Sequence, residues 1–439
     1  MPGVPEAFSV ARAAALGGAG WLQQRRLAAA EALQDAELPS PSEEEWRYSP
    51  VGKLRLETFA PASPEPANGP GGPLNRAALP AAASDLLGSL RRRLGGLSAL
   101  VVTCDGKLAA TEVSASAEAE GLAVRPLGEA PEPAGAPGGV GSPPADVFGL
   151  MNDAFCSAPA LLEVPAGARL ADPVAVVNIV TMPSLAAFPR LAVVVGDGAE
   201  AQVVNAVVSG GDEAFAAPVT EIEVGPSARL QFLNLQELGP CAIGIDRTTA
   251  TVAAQGHLAV GFAAVGGAYA RCRADCTLTG RGGTGDMSAM YFGDGEQVLD
   301  FRTFQNHLAP DTTSNLLFVG AVEDRARSIY SGLIRVGAEA RGTDAQQTNR
   351  ILKLSEEVWA DSVPNLEIEN NDVRCAHASS VGPIDEDHRF YLESRGVPPD
   401  VAERLIVEGF FGEVRGRLPV QSVAAGFDEM VRAKIGPNR

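Results

Sequence analysis

The middle of the chain, from about residue 160 to residue 383, is a succession of short apolar runs separated by glycine, proline and aspartate. Examples of these runs are 174–180, 191–195 and 220–224. Such runs, rich in valine and isoleucine and bounded by turn-forming residues, are typical of β-strands. They lack the 3.6-residue period of an amphipathic helix, so the pattern predicts a mainly β core.

A small turn residue that leads into a strand recurs in this core at intervals of 29 to 31 residues. A period near 30 is typical of stacked β-coils, in which no coil buries its inner face alone and neighbours share a ladder of parallel strands. We therefore predict a parallel β-helix, with a β-sandwich as the alternative. The six turn residues are Gly167, Gly198, Ser227, Gly256, Gly285 and Ser314.

Helical patterns lie on both sides of this core. Residues 21–33 are rich in strong helix formers, and Pro39 follows them. After the core, Asp385 and Asp400 each precede a helical pattern and are predicted to cap its first turn. A last helix is predicted at about 421–434. We expect the C-terminal helices to cover the open end of the β-helix, whose strand edges would otherwise stay unpaired.

Two segments rich in proline and glycine, 61–74 and 131–144, interrupt the N-terminal part and are predicted to be linkers. We therefore divide the chain into an N-terminal helical and mixed region containing these linkers (1–150), a parallel β-helix core (151–383) and a C-terminal helical region (384–439). The predicted fold class is mainly β, with helical regions flanking the core on both sides.

The formal net charge of −19 argues against nucleic acids and anionic membranes as partners, because both repel an acidic protein. The apolar runs are all shorter than the roughly 20 residues that a membrane-spanning helix needs. The first residues also lack the basic and apolar regions of a signal peptide. We expect a cytoplasmic protein.

The six cysteines are scattered along the chain, a distribution that does not predict a disulfide framework. Cys272 and Cys276 lie on one face of either a strand or a helix, but a structural zinc site needs two further ligands, which the nearby sequence does not offer. We predict that both pack in the core. The solitary residues Cys104, Cys156 and Cys241 are also predicted to be buried.

We predict structural roles for the remaining histidines and for one glycine-rich segment. His257 and His307 fall in strand-like sequence and are predicted to satisfy local hydrogen bonds, whereas His388 is predicted to face solvent. The segment Gly280–Gly285 has the glycines of a phosphate-binding loop but lacks the lysine and the serine or threonine that follow in a P-loop. We predict a turn there and no nucleotide hydrolysis by this chain.

Cys375 and His377 are the sharpest candidates for chemistry. Two residues that are two apart on an extended strand point to the same face, so the thiol and the imidazole lie side by side. Soft and borderline metals accept both ligand types, but one cysteine and one histidine cannot close a metal site. The alternative is that the pair packs where the β-helix meets the helices.

The sequence around this pair resembles a known family. The run D-V-R-C-A-H-A-S-S-V-G at 372–382, followed by I-D-E-D-x-x-F-Y-L-x-S-R-G-V at 384–397, is similar to the C-terminal signature of the SufB/SufD family of iron–sulfur cluster assembly scaffolds. The SufB branch carries a glutamate after the matching histidine, whereas this chain has Ala378, so the resemblance is to the SufD branch. It extends upstream to Glu45–Tyr48 and Tyr330–Ile334.

The resemblance implies a right-handed parallel β-helix and a non-catalytic scaffold role. It implies pairing with a SufB-like paralogue through the edges of the two β-helices, with homodimerisation possible for the chain alone. His377, with Cys375, would help iron or a nascent cluster to assemble at this interface, and the chain alone would hold no cofactor stably. The C-terminal helices carry more apolar surface than covering one solenoid end requires, so this surface either packs internally or forms a docking surface. The resemblance implies that a SufC-like ATPase docks on these helices, and the predicted docking residues are Phe390, Tyr391, Arg395, Leu405, Ile406, Phe410 and Phe411.

Two alternative functions stay open. One is a self-sufficient, SufB-like cluster scaffold. The other is a carbohydrate-active β-helix enzyme, which needs carboxylates and basic residues that converge on one exposed groove. The acidic run at 385–387 is better explained as a helix start, and aromatic residues that could stack on sugars are scarce.

Overall fold

A computed structural model of the chain describes residues 4–62, 79–133, 135, 138–421, 423, 426, 430–432 and 434. Two long sheets dominate these residues, and strands of the two sheets alternate along the chain, so that most strands pair with the strand two elements further on. From residue 160 to residue 383 every one of these pairings is parallel. This arrangement is a parallel β-helix and confirms the predicted mainly β fold.

The strands are short, mostly of six to eleven residues. In chain order they are β1 (Ala60–Pro61), β2 (Ala99–Cys104), β3 (Lys107–Val113), β4 (Ala123–Pro126), β5 (Ala160–Val164), β6 (Val174–Val180), β7 (Leu185–Ala187), β8 (Arg190–Val195), β9 (Glu200–Ser209), β10 (Phe215–Ala216), β11 (Val219–Val224), β12 (Arg229–Glu237), β13 (Ile243–Val252), β14 (His257–Ala264), β15 (Tyr269–Leu278), β16 (Thr284–Gly293), β17 (Val298–His307), β18 (Thr313–Val322), β19 (Arg327–Val336), β20 (Thr343–Lys353), β21 (Trp359–Ile368) and β22 (Val373–Pro383).

The helices precede and follow this solenoid in the sequence. They are α1 (Val10–Ala15), α2 (Gly20–Gln34), α3 (Ala81–Leu94), α4 (Ala115–Ala119), α5 (Val147–Phe155), α6 (Glu386–Glu393) and α7 (Pro399–Arg415), with short 3-10 turns at Glu44–Trp46, Pro50–Lys53, Leu56–Thr58 and Leu127–Glu129. The described residues between 421 and 434 are also helical, which agrees with the last predicted helix. No described helix is both long enough and apolar enough to span a bilayer.

One sheet has the order β21-β19-β17-β15-β13-β11-β8-β5-β4, with β1, β7 and β10 as a side branch. The other has the order β22-β20-β18-β16-β14-β12-β9-β6-β2-β3. Strands β2 to β4, which precede the parallel coils in the sequence, extend the two sheets at their first end. Strands β21 and β22 are the last strands at the other end.

The register confirms the predicted period near 30 residues. Paired residues in neighbouring coils are 26 to 32 positions apart along the chain; Thr284, for example, is aligned with Thr313. Three of the six predicted turn residues, Gly167, Gly198 and Ser227, have a left-handed backbone, with φ of 76°, 64° and 57°.

In the following coils, the left-handed turn position falls earlier than predicted. It moves to Gln255, then to Gly282 and Asp311, because the two coils after Ser227 are 28 and 27 residues long. The predicted turn residues Gly256, Gly285 and Ser314 therefore lie one to three positions beyond the turn. The predicted turn between coils at Gly280–Gly285 is confirmed, since the left-handed Gly282 lies between β15 and β16.

The helices cover the flanks of the solenoid rather than its end. The outer face of the sheet that contains β16 and β18 packs against α3 and α7 through apolar residues such as Leu317, Val319, Val407 and Phe411. The other sheet is covered at its first coils by α1, α2 and α5. The prediction that the C-terminal helices cover the open end is therefore wrong, because the apolar stripe of α7 matches an apolar outer sheet face.

Three smaller predictions also need correction or restriction. Helix α7 begins at Pro399, so Asp400 lies within its first turn and is not its cap. Cys241 is exposed and Cys104 is only half-buried, whereas Cys156 is buried as predicted. The linker at 61–74 lies largely outside the described residues. In the other linker, the N–H groups of Val140 and Gly141 donate to Glu223 and Glu221, which fixes that part against β11.

The segment Glu45–Ser49 is held against the solenoid by buried charges. Asp300 on β17 accepts hydrogen bonds from the guanidinium groups of Arg271 and Arg302 at 2.8 and 2.7 Å. The same two arginines donate to the carbonyl groups of Glu45 and Arg47 at 2.9 and 2.7 Å. Arg271 also stacks over the Trp46 ring at 3.8 Å. Glu45–Tyr48, the upstream segment that shares the family resemblance, thus attaches the N-terminal part to the solenoid.

A row of polar side chains crosses the interior of the solenoid, and all of its members are buried except Asp246, which is half-buried. Burial raises the pKa of Asp246, in this row, to about 7, although Thr248 and Cys272 donate hydrogen bonds to its carboxyl group. A cavity of about 30 Å³ beside it is large enough for a water molecule. The row consists of Thr103, Asn178, Asn205, Asn234, Thr248 and Asp246, each hydrogen-bonded to the next at 2.8 to 3.2 Å.

The raised pKa of Asp246 should make the stability of the chain depend on pH. Its pKa is about 7 in the folded state against 3.8 for an ordinary aspartate, so the folded chain holds an extra proton between these pH values. The free energy of unfolding contributed by Asp246 therefore falls as the pH rises through this window. We expect Asp246→Asn to gain stability relative to the wild type between about pH 4 and pH 7, by up to a few kcal/mol.

Urea unfolding at several pH values measures this difference. Asp311→Asn, which removes a carboxylate from a surface pair with Arg281, is the control and is expected to leave the pH profile unchanged. Parallel profiles for Asp246→Asn and the wild type would show that the interior carboxyl group titrates like an exposed one.

Candidate metal-binding edge of the solenoid

Strand β22 is an edge strand at the open end of the solenoid. Within the described part of the chain it pairs with β20 on one side and with no strand on the other. Most of its side chains are exposed, in contrast to the buried strands of the preceding coils. The free backbone N–H and C=O groups of such an edge are a template for pairing with another strand.

Cys375 and His377 lie on the inward-facing side of β22. Their register partners on β20 are Ala345 and Gln347, which are both buried inside the last complete coil. The pair therefore faces the open mouth of the solenoid, with the two Cα atoms about 7 Å apart along the strand. The predicted side-by-side placement on one strand face is confirmed.

The two side chains differ in exposure. His377 is exposed, whereas Cys375 is half-buried against the apolar cluster formed by Ile334, Val336 and Ala345. Partial burial and the nearby carboxylate of Asp344 raise the pKa of the Cys375 thiol. The thiol is therefore protonated at neutral pH, and a metal that binds it must displace the proton.

Cys375 and His377 do not complete a metal site. Among the described residues, no group of three or more histidine, cysteine, aspartate or glutamate side chains could hold a metal ion. Thiolate and imidazole suit iron and zinc, but tetrahedral sites need four ligands. Cys375 and His377 alone fall short of this number.

Two of the other cysteines and two of the other histidines have structural contacts. Cys272 and Cys276 lie on β15 against the interior cluster, which confirms core packing. His257 contacts Asp286 at 2.9 Å, and His307 contacts the hydroxyl groups of Thr312 and Ser314 at 2.8 and 2.9 Å, as predicted. Burial lowers the pKa of His307 to about 4, so it is neutral at physiological pH. His388 is exposed, as predicted.

Helices α6 and α7 expose an apolar patch. Phe390, Tyr391 and Leu405 are 72%, 54% and 44% exposed, which is unusual for large apolar side chains. Arg395 stacks over the Tyr391 ring at 4.3 Å. We refer to Phe390, Tyr391, Arg395, Leu405 and Ile406 as the α6–α7 patch. Of the other residues predicted for docking, Phe410 is partly buried and Phe411 is only 2% exposed against the sheet, so Phe411 is not part of this surface.

Two polar residues beneath β22 were missed in the sequence. Gln347 and Asn349 on β20 are buried, and both carry amide atoms without a hydrogen-bond partner in the described structure. Their spacing of two residues in a predicted β region was the available signal, because it places both amides on one face of a strand. The amide groups without hydrogen-bond partners lie on the strand next to β22.

The chain matches one family model, described as the SufBD core domain of SUF-system FeS cluster assembly, over residues 178–410. An iron–sulfur cluster assembly SufBD family protein of Mycobacterium tuberculosis is 31% identical over 293 residues, which cover 65% of this chain and 73% of that relative. The iron–sulfur cluster assembly protein SufD of Escherichia coli is 29% identical over 297 residues, covering 66% and 69%. SufD of Bacillus subtilis is 35% identical over 158 residues, or 36% of each chain.

The region matched by the family model contains the features described above. It runs from β6 to Phe410 in α7 and includes β22 with Cys375 and His377, the unpaired amides of β20 and the α6–α7 patch. The N-terminal helices lie outside it.

Proposed function

The chain belongs to the SufB/SufD family of the SUF iron–sulfur cluster assembly system, and from this membership we propose that it is a non-catalytic, SufD-like scaffold subunit. One observation carries the proposal: His377 is exposed beside Cys375 on an edge strand whose second side is unpaired in the described structure. A half-complete ligand set on an open strand edge suits a site that a second polypeptide completes.

The proposed partner at this edge is a SufB-like paralogue with a β-helix of its own. A strand added to β22 continues the ladder at a spacing of about 4.8 Å, close enough for its side chains to share a ligand set with Cys375 and His377. Iron and the nascent cluster are then cargo held between two chains, and the chain alone binds neither stably. The SufD-like assignment is supported by Ala378, which follows His377 where the SufB branch has a glutamate.

Co-purification with the SufB-like and SufC-like proteins, followed by iron and acid-labile sulfide analysis, tests the proposal. We expect a complex that contains all three proteins and forms a cluster, whereas the isolated chain holds little iron. A cluster reconstituted on the isolated chain, with its cysteines as the main ligands, would instead support a self-sufficient SufB-like scaffold. Cleavage of polyuronates would support the carbohydrate-active enzyme.

We further propose that the α6–α7 patch docks the SufC-like ATPase. Replacing Phe390 and Leu405 together by alanine removes two exposed apolar side chains that contribute little to the fold. We expect at least a tenfold weaker affinity for the ATPase, because apolar side chains at the centre of an interface each contribute on the order of 1 kcal/mol or more.

Isothermal titration calorimetry with the purified ATPase measures this affinity. Leu308→Ala is the matched control, because Leu308 is a comparably exposed apolar residue (53%) in the connection between β17 and β18. Equal affinities of the double variant and the control would exclude the patch as the docking surface.

A further inference from the structure

The last coil of the solenoid contains buried amides whose hydrogen-bonding capacity is unused. Gln347 is 1% exposed, and neither its Nε2 nor its Oε1 atom has a partner within the described structure. Asn349 is 0% exposed, and its Oδ1 atom lacks a partner while its Nδ2 atom donates to Ser362. A buried amide left unpaired costs about 1–3 kcal/mol, so such a residue is expected to find a partner in the folded chain.

The register shows which side can supply that partner. On β18, the residue aligned with Gln347 is Leu316, which has no polar side-chain atom. On β22, the aligned residue is His377. Of the two residues aligned with Gln347 in its sheet, the polar one therefore lies on the side of the open edge.

Asn349 repeats the arrangement two residues further along β20. It is aligned with Phe318 on the side of β18 and with Ser379 on the side of β22. Both unsatisfied amides of β20 thus have an apolar neighbour below and a polar neighbour above. This repetition indicates that the amides of Gln347 and Asn349 are placed for contacts with β22 and are not a by-product of interior packing.

The opposite sheet provides the space that the Gln347 amide occupies. A Cβ atom added to Gly332 on β19 would lie 2.4 Å from Gln347 Nε2 and 2.5 Å from the Tyr330 hydroxyl oxygen, both too close. The Tyr330 hydroxyl group is already engaged with Thr303 at 3.0 Å. Gly332 therefore leaves room for the glutamine, which makes no hydrogen bond to the Tyr330 hydroxyl group in the described structure.

We propose that Gln347 is the positioning residue for the His377 imidazole. The described structure leaves Gln347 Oε1 without a partner, so the arrangement requires rotation of one of the two side chains. One ring N–H group of His377 then donates to Gln347 Oε1, and the other ring nitrogen presents its lone pair to the open end. Such a bond fixes the tautomer and orientation of a metal-binding histidine. The inference rests on the proposed function in one respect, the role of His377 as an iron ligand.

A positioning role and a structural role make opposite predictions for an apolar replacement. Gln347→Leu puts a side chain of similar size beside Leu316 and removes the unpaired amide, so the unfolding free energy should stay the same or rise. The orientation of His377 should nevertheless be lost. A structural glutamine would instead destabilise the fold when replaced.

The test is carried out on the full chain with 15N-labelled histidine. The chain has four histidines, so the ring nitrogens of His377 can be assigned by comparison with His377→Ala. In the wild type at pH 8 we expect the two ring shifts of a single tautomer. In Gln347→Leu and in the second variant Gln347→Met we expect shifts averaged between the two tautomers.

Zn²⁺ added alone provides a second readout through the same ring signals. We expect the dissociation constant for His377 to rise about 10- to 100-fold in both apolar variants, the range found for loss of an outer-shell partner. Gln346→Leu is the matched control, because Gln346 is an exposed glutamine on the opposite face of the same strand. It should change neither readout.

Three outcomes overturn the inference. A mixed tautomer in the wild type, an unchanged tautomer in both apolar variants, or loss of folding in both would each show that Gln347 does not position His377. None of these bears on the proposed function, which fails separately if His377→Ala forms a normal amount of cluster in the complex.

Discussion

Replacement of His377 by alanine is expected to abolish cluster formation by the assembled complex while leaving this chain folded and able to bind its partners. His377 is exposed on an edge strand, and such surface substitutions usually change stability by less than about 0.5 kcal/mol. Cys375 and His377 are the two candidate ligands on β22 within the described structure, so replacing His377 leaves Cys375 alone. A single ligand cannot hold iron against the solvent.

The experiment compares iron and acid-labile sulfide per complex for the wild type and the variant. His388→Ala is the matched control, because His388 is also an exposed histidine and lies eleven residues downstream on α6. We expect the control to form the normal amount of cluster. A normal yield from His377→Ala, with intact complex formation, would contradict the proposed function.

The period of the solenoid could be predicted from the sequence because it is a local property. Each coil repeats the same order of strand and turn, so the spacing of small turn residues directly reports the length of a coil. The prediction drifted only after Ser227, where two coils are one and two residues shorter than 29. A fixed period cannot anticipate such changes, because a solenoid tolerates coils of slightly different length.

The position of the C-terminal helices could not be predicted in the same way. The apolar stripe of α7 shows that the helix packs on something, but the choice between the open end and the flank depends on the outer face of distant strands. Leu317 and Val319 lie two residues apart on β18, so both point to the same face, and both belong to the outward-facing apolar set. Which face of each strand is outward follows only once the coils are stacked.

The candidate site was predictable in part. The spacing of Cys375 and His377 gave their common face, and the family resemblance gave their proposed role. The polar residues below them depended on the register between β20 and β22, with an offset of 30 residues. Because a shift of one residue turns every side chain to the other face, the alignment of Gln347 with His377 could be recognised only in the folded chain.

Replacement of Asp300 by alanine is expected to destabilise the chain by about 3–5 kcal/mol. Asp300 is fully buried and accepts hydrogen bonds from Arg271, Arg302, Tyr269 and Ser49. Although burial opposes its ionisation, the two arginines hold the pKa of Asp300 below its ordinary value. Its removal leaves two buried guanidinium groups without their counter-charge.

The same substitution should also loosen the segment Glu45–Ser49. Arg271 and Arg302 can hold the carbonyl groups of Glu45 and Arg47 only while Asp300 fixes their orientation. We therefore expect trypsin to cleave after Arg47 faster in Asp300→Ala than in the wild type, under conditions where the solenoid itself stays folded. Urea unfolding measures the loss of stability, and mass spectrometry of the tryptic fragments locates the cut.

Glu296→Ala is the control for this experiment. It breaks a pair with Arg325 in which both side chains are more than 60% exposed, and surface pairs of this kind contribute at most about 1 kcal/mol. If Asp300→Ala behaves like this control, the apolar cluster around Trp46 is sufficient to hold the N-terminal part, and the buried charges are not needed for its attachment. A large loss in Asp300→Ala alone, together with the new cut after Arg47, would show that the segment is attached through this carboxylate.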